Sequence, residues 1–392
     1  MQKSIIHEQL PKYLKASLPD KSIIVSSVCR ISGMHRKAVI RAFRREQMRS
    51  SLDPPVRQGR PLMYTAETEA ALAFVWEQYD YPSAERLHPV VCEAIRIFTR
   101  DRMWNYDRQA TVQLASMSLG AMKVRCVAMA KKRGLLRGIS TTRSGALLKS
   151  VPVFFGSWKR KGTGYGQVDT VVHSGPKLMG TMVYTVNYVD VATYWQEPVA
   201  QLNKGERATT MSLATIQTRL PFPLVGLHPD SGSEFINQVG IPWCDEQGIE
   251  LTRSRPHKKN DNCYIEQRNL VVVRKYVGYE RYDCAEAASA MNELYEILRL
   301  YLNFFQPTFK LKGKQKRVKS TDGTQAAKPY KRIYDQVRTP YQRVLGRDDI
   351  DQRVKEQLTI QYESLNPKVL RDTIQLLTSK LERTQRELGY HY

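Results

Sequence analysis

The sequence predicts a mixed α/β chain: helical units at the N-terminus, a mixed five-stranded sheet with flanking helices in the middle, and a mostly helical C-terminal region. Three strand-like runs follow one another between 167 and 199, and strand-like and helix-like runs then alternate up to the run around Glu266. On both sides of this stretch, apolar residues recur at spacings of three and four, the period of a helix with one packed face. The 392 residues suffice for about two to four domains with real cores.

Charge bounds the partner. Lys and Arg number 61 against 38 Asp and Glu, a net +23, which points to a polyanion and above all to nucleic acid. The hydrophobic fraction of 42% is ordinary for a globular protein. No apolar run approaches the roughly 20 residues of a membrane span, and the N-terminus lacks the apolar stretch of a signal peptide. A soluble, cytoplasmic, nucleoid-associated protein with no membrane partner is the expectation. The six cysteines stand singly at 29, 92, 126, 244, 263 and 284. With no Cys-x-x-Cys, neither a zinc ribbon nor a disulfide framework is indicated.

Residues 1–50 are expected to form a helix-turn-helix DNA-binding domain. Ser26 to Gly33 reads as a positioning helix with Gly33 at the tight corner, and Met34 to Phe43 as the recognition helix. Val39, Ile40 and Phe43 share its apolar face, leaving His35, Arg36, Lys37 and Arg41 outward for phosphates and bases. An ordinary amphipathic helical pair is the plainer reading. Residues 51–64 are a basic linker in which Gly59-Arg60-Pro61 has the pattern of a minor-groove hook. Residues 65–132 read as a second helix-turn-helix-like unit: helices over Ala66–Tyr79 and Val90–Phe98, then a small-residue turn before a helix that packs Met122, Cys126 and Met129. Lys123, Arg125 and Lys131 face out from it, so that two tandem units would read a longer DNA site. Residues 133–152 are a second basic linker.

In the region 153–310, strands are expected at Gln167–His173, Thr181–Val189, Ala192–Val199, Leu224–His228 and Ile249–Arg253. Asn203-Lys-Gly-Glu206 and Asp283-Cys-Ala-Glu286 have the spacing of capping boxes. The helix after the second packs Met291, Leu294, Leu298, Tyr301 or Leu302, and Phe305 until Pro307 ends it. Residues 311–392 comprise a basic loop, with Asp322-Gly323 as a hairpin turn, followed by helix. The stripe Leu370, Ile374, Leu377 and Leu381 marks a packing helix, or else one for self-association.

Three acids stand at rigid places: Asp169 in the first strand, Asp230 just after the fourth, and Glu266 in a helix, with 35 residues between the last two. Crowded carboxylates repel, and one protonates unless cations sit among them. Hard divalent cations favour such oxygen donors, and two of them about 4 Å apart can activate an oxygen nucleophile and stabilise the leaving oxygen at a phosphodiester. The expectation is therefore a carboxylate site holding two Mg²⁺, or Mn²⁺ in their place, acting on DNA. Singly each acid has a bland reading: a strand-end turn for Asp169, an Asx turn for Asp230, a solvated helix face for Glu266. Of the neighbours, Asp190 reads as a strand-end cap, Glu234 as part of the loop after Asp230, and Asp261 as the N-cap of the Glu266 helix. Asp245, Glu246 and Glu250 read as surface charges, His228 as a strand-end residue and His257 as a phosphate donor. Lys258, Lys259, Asn262 and Asn269 are placed to touch DNA near the acids.

The motifs Gly166-Gln-Val-Asp169-Thr, His228-Pro-Asp230-Ser-Gly-Ser-Glu-Phe-Ile-Asn and Arg255-Pro-His-Lys-Lys-Asn-Asp-Asn-Cys-Tyr-Ile-Glu266-Gln-Arg-Asn resemble those of DDE transposases and retroviral-type integrases, most closely bacterial insertion-sequence transposases. The resemblance is specific over about 153–310, and the interval between the second and third acids is its hallmark. It implies a ribonuclease-H-like core with Asp169, Asp230 and Glu266 as catalytic metal ligands. It further implies a protein that binds the ends of a mobile element, cleaves to leave 3′-hydroxyls, and joins them to target DNA as a homo-oligomer assembled on the DNA. Two departures stand out: the His-His-Cys-Cys zinc module has no counterpart, and an SH3-like C-terminal barrel does not fit the helical pattern. The rival readings are a catalytically silent DNA-binding regulator and a hydrolytic nuclease on the same core.

Overall fold

The computed structural model describes residues 2–48, 63–131, 158, 161–176, 179–230, 234–255, 262–316 and 330–387. They divide into two compact units, Met1–Met63 and Tyr64–Tyr392. The first holds α1 (Gln2–Lys15), α2 (Leu18–Ser32) and α3 (Arg36–Gln47). The second opens with α4 (Ala66–Gln78), α5 (Ala84–Leu87), α6 (Val91–Arg100), α7 (Arg108–Ala115) and α8 (Leu119–Lys131). Its central part runs β1 (Tyr165–His173), β2 (Val183–Asp190), β3 (Gln196–Leu202), α9 (Glu206–Arg219), β4 (Gly226–Pro229), α10 (Gly240–Glu246) and β5 (Glu250–Leu251). There follow α11 (Cys263–Arg268), a π-helical turn (Asn269–Arg274), α12 (Lys275–Val277) and α13 (Ala285–Phe305). The chain then passes through β6 (Leu311–Lys316), β7 (Tyr330–Tyr334), α14 (Pro340–Leu345), α15 (Gln352–Ser364) and α16 (Pro367–Glu387).

In the first unit, Val25, Val28, Val39 and Phe43 close a small core, with Phe43 stacked on Tyr13 at 4.4 Å. Gly33 ends α2 with φ of 71°, a left-handed cap that a side chain would strain, and so turns the chain into α3. A helix, a turn at Gly33 and a second helix follow one another there, and α2 is longer than the Ser26–Gly33 segment. Ile40 is exposed at 40%, off the buried Val39–Phe43 face, because residues 39 and 43 are one turn apart and 40 points about 100° away.

The main sheet has the order β3-β2-β1-β4-β5, with β1–β2 and β2–β3 antiparallel and β1–β4 and β4–β5 parallel. It is the expected mixed five-stranded sheet with flanking helices, consistent with the ribonuclease-H-like fold that the resemblance implies. Edge strands expose unpaired backbone groups, and α13 covers those of the β3 edge. Asn303 exchanges hydrogen bonds with the N–H and C=O of Gln196, and Asn292 does the same with Ala200. Gly166 is glycine because a Cβ there would lie 1.9 Å from the buried Tyr188 ring.

Several local expectations are corrected. The third strand begins at Gln196 rather than Ala192, because Asp190 accepts from the N–H and hydroxyl of Thr193 and bends 192–195 into a tight turn with Tyr194 at φ 64°. Neither capping box forms: Gly205 is the N-cap of α9, with Asn203 left-handed before it, and Cys284 Sγ rather than Asp283 caps α13. Asp283 instead pairs with Arg281. The basic region expected as a loop after 310 contains the antiparallel β6–β7 pair, while the Asp322-Gly323 turn lies outside the described residues.

The helices α4–α8, expected as a separate 65–132 domain, belong to the same compact unit as the sheet and the C-terminal helices. Tyr301 donates to Gln78 O and Gln306 to Tyr79 O, while Arg100 donates to the carbonyls of Glu363 and Leu365. One hydrophobic core runs through all three stretches. The boundary near 310 is likewise not a gap in packing, since Leu370, Ile374 and Leu381 of α16 are buried in this same core. That stripe is a packing stripe.

Candidate active site

The parallel register pairs Gln167 with His228 and Val168 with Pro229. Asp169 and Asp230 are therefore the next residues along two neighbouring strands, a placement that follows from β1 and β4 running the same way. Along β1, alternation puts Gln167 and Asp169 on one face, and α11 lies over that face. The Gln167 carboxamide oxygen accepts from the backbone N–H groups of Tyr264 and Ile265, at 3.0 and 3.2 Å. One turn on, Asn269 Nδ2 donates to Asp169 Oδ2 at 2.6 Å, and its own oxygen accepts from Asn187 of β2 at 2.9 Å. Three polar side chains of the sheet, Gln167, Asp169 and Asn187, thus fix the helix by its first turn and by the onset of its π-helical turn, an irregularity that often accompanies functional sites.

Asp169 is half-buried, and its carboxyl is pushed up to about 8, first by burial and then by the neighbouring Asp230 carboxylate. The Thr170 N–H and the Asn269 amide work against the rise by favouring the ionised form. Glu266 sits three residues before Asn269, so it occupies the adjoining side of the helix, and it is exposed. Among the described residues no three His, Cys, Asp or Glu side chains close into a ready metal-holding group. The acid pair is gathered on the sheet, and the third acid is carried by the helix above it.

The neighbouring acids behave as read from the sequence. Asp190 caps the end of β2, Glu250 pairs with Lys161, and Asp245 and Glu246 are exposed. Glu234 is more engaged than its loop position suggested, accepting from the Thr170 hydroxyl at 2.6 Å. His228 is a buried strand-end residue whose Nδ1 lies 2.9 Å from the Thr252 hydroxyl.

Two of the candidate DNA contacts near the acids are corrected. Asn262 is buried and Asn269 turns inward to Asp169. The reason is periodicity: 262, 265 and 269 share one helix face, and Ile265 on it is fully buried. Lys258, Lys259, Asp261, His257 and Arg60 lie outside the described residues. In the helical units, Lys37 and Arg41 are exposed on α3, whereas Arg36 reaches back to the Ser22 and Ser26 hydroxyls of α2. Lys123 pairs with Glu85 at 2.9 Å, and Arg125 pairs with Glu69 and lies over the Tyr64 ring. The roles of Gln167 and Asn187 were not foreseen. Gln167, two residues before Asp169 and so on its face, was the signal available.

No family model matches the chain. A protein of Sinorhizobium fredii (strain NBRC 101917 / NGR234), described as uncharacterized protein y4rM, is 34% identical over 319 residues, 79% of this chain and 88% of that protein. The chain belongs to the family of that protein. Among solved structures, the catalytic core domain of BIV integrase matches with a TM-score of 0.27 and 19% identity, over 36% of this chain and 84% of that one. So low a score says nothing by itself about chemistry.

Proposed function

We propose that this protein is a DDE-type DNA transposase, a metal-dependent polynucleotidyl transferase that joins the ends of a mobile element to target DNA. The observation that carries the reading is the acid pair: Asp169 and Asp230 follow adjacent registers of two parallel strands, under a helix that bears Glu266 and is tied to Asp169 through Asn269. Oxygen donors that repel one another suit Mg²⁺ or Mn²⁺, and Asp169, Asp230 and Glu266 would hold such ions. When bound, the cations would lower the pKa of the attacking oxygen and stabilise the leaving one. The chain's own part is positional. Gln167 and Asn187 hold the helix over the sheet, and Asn269 aims one Asp169 oxygen and offsets part of the rise that burial imposes on its carboxyl. Double-stranded DNA, both element ends and target, would be the partner, held by a homo-oligomer at the nucleoid.

Asp230→Asn is expected to abolish Mg²⁺-dependent joining of a pre-cut end to a target plasmid, by at least about a thousandfold, while leaving duplex binding intact. Mg²⁺ should also raise the thermal midpoint of the native chain and not that of Asp230→Asn. Joining at the native rate by the variant would sink the assignment. The exposure of Glu266 on its helix face favours one rival, a DNA-binding regulator without chemistry. A native chain that binds DNA but shows neither joining nor Mg²⁺ stabilisation would support it.

A further inference from the structure

Arg268, two residues beyond Glu266, places its guanidinium 5.1 Å from the centre of the Tyr194 ring. Arg343 of α14 and Lys310 approach the same ring at 5.4 and 5.8 Å. Nearby, Arg86 of α5 lies 5.7 Å over the Phe309 ring, and Phe309 in turn packs on Tyr334 at 5.4 Å. Four cations from separate segments are thereby set around two aromatic rings.

Their partners are unequal. Arg343 pairs with Asp335, and Lys310 donates to the carbonyls of Val191 and Ala192. Arg86 and Arg268 are both half-buried, yet among the described residues neither meets a carboxylate at ion-pairing distance. Tyr194, the common platform, is held at φ 64° by the Asp190 turn, a conformation unfavourable for a bulky side chain. Half-buried arginines without an anion are costly, and an arginine that lies over a ring keeps its N–H fork free for a phosphate.

We propose that Arg86, Arg268 and Arg343, backed by Tyr194 and Phe309, form a binding site for consecutive phosphates of a DNA backbone. The spread over α5, α11 and α14 fits several phosphates better than one free anion. The adjoining β6–β7 pair extends the positive surface through exposed Lys312 and Arg332. The site concerns binding alone and stands whether or not the acid pair performs chemistry.

The test is the salt dependence of duplex binding by the full chain, followed by fluorescence anisotropy between about 50 and 200 mM salt. Replacing both unpaired arginines, R86Q with R268Q, should lower the slope of log K against log salt by about two and weaken binding on the order of 30-fold at physiological salt. Arg386→Gln, on α16 beside Glu382, serves as the control and should change neither. A folded double variant with native slope and affinity overturns the proposal. Where the double variant fails to fold, Arg86→Gln alone should lower the slope by about one, and no change there overturns it equally. Inorganic phosphate at the same ionic strength should displace the duplex only weakly. Displacement at micromolar phosphate would mark a small-anion site instead and would also overturn it.

Discussion

Two segments of this chain share one sequence grammar, a helix, a small-residue turn and a basic amphipathic helix, yet they are built into the molecule differently. In α2–α3 the cations Lys37 and Arg41 are exposed and, among the described residues, meet no carboxylate. In α7–α8 the corresponding cations are already satisfied: Lys123 by Glu85, and Arg125 by Glu69 and the Tyr64 ring. Those partners come from segments 38 to 61 residues upstream, where no local pattern reveals them. A basic helix can read DNA only when its charges are not consumed by the fold, and by that criterion α3 is the candidate to test and α8 is not.

The sharpest way to separate the two segments is to remove the core of one. Phe43 is 1% exposed in a core of a few residues, and Phe43→Ala should cost that unit about 3–5 kcal/mol, enough to unfold it. All five tryptophans lie beyond Met63, so tryptophan fluorescence reports the second unit alone. Its transition should not move while helical circular dichroism is lost early. A tryptophan signal that shifted with the variant would show the two units to be energetically one.

The second unit should have its own acid sensitivity. His173 is fully buried between Thr185 and Tyr282, and burial pushes its pKa down to about 3 from 6.5. The native state then holds it neutral while the unfolded chain takes up a proton below pH 6.5. Stability is unaffected by this group above that pH and falls as pH drops through the window from 6.5 to 3, by about 1.4 kcal/mol per unit. Urea titrations read by tryptophan fluorescence should lose roughly 2 kcal/mol between pH 6.5 and 5, and His173→Gln should flatten that slope. An equal slope in the variant would assign the sensitivity elsewhere.

For α3 the expected effect is on binding. Lys37→Ala with Arg41→Ala removes two exposed cations, which should weaken duplex binding on the order of 30-fold and lower the salt slope by about two, with little change in stability. An unchanged slope would put α3 on the same footing as α8.

The strands β1, β2 and β4 were legible because runs such as Val168 to Val172 and Val183 to Val189 are rich in β-branched and aromatic residues, and the acid interval needed only counting. The start of β3 was not, because Asp190 hydrogen-bonds three residues ahead and diverts the chain. Asn262 and Asn269 were misplaced for a related reason. Both are polar, and polarity suggested solvent, but the face they share with Ile265 packs on a sheet that offers Gln167 and Asn187 as hydrogen-bonding partners. The union of α4–α8 with the sheet rests on contacts such as Tyr301 to Gln78, more than two hundred residues apart. Periodicity shows that a face is apolar; it does not say what will cover it.

The smallest effect discriminates best between these two helical segments. Lys123→Ala with Arg125→Ala removes the same number of charges as the α3 pair, so net charge alone predicts the same loss of binding. If the pairs with Glu85 and Glu69 already occupy these cations, the salt slope should stay within about half a unit of native, because no phosphate contact and no counterion release is lost. The cost should appear in stability instead, about 1 kcal/mol, mostly from Arg125, whose side chain is 20% exposed and stacked on Tyr64. Mutating the acids turns the same logic round. Glu85→Gln and Glu69→Gln release the two cations, and duplex binding should then strengthen and its slope steepen. A native slope after that release would mean that α8 does not face DNA, and a slope that falls with the alanine pair would restore it as a reader.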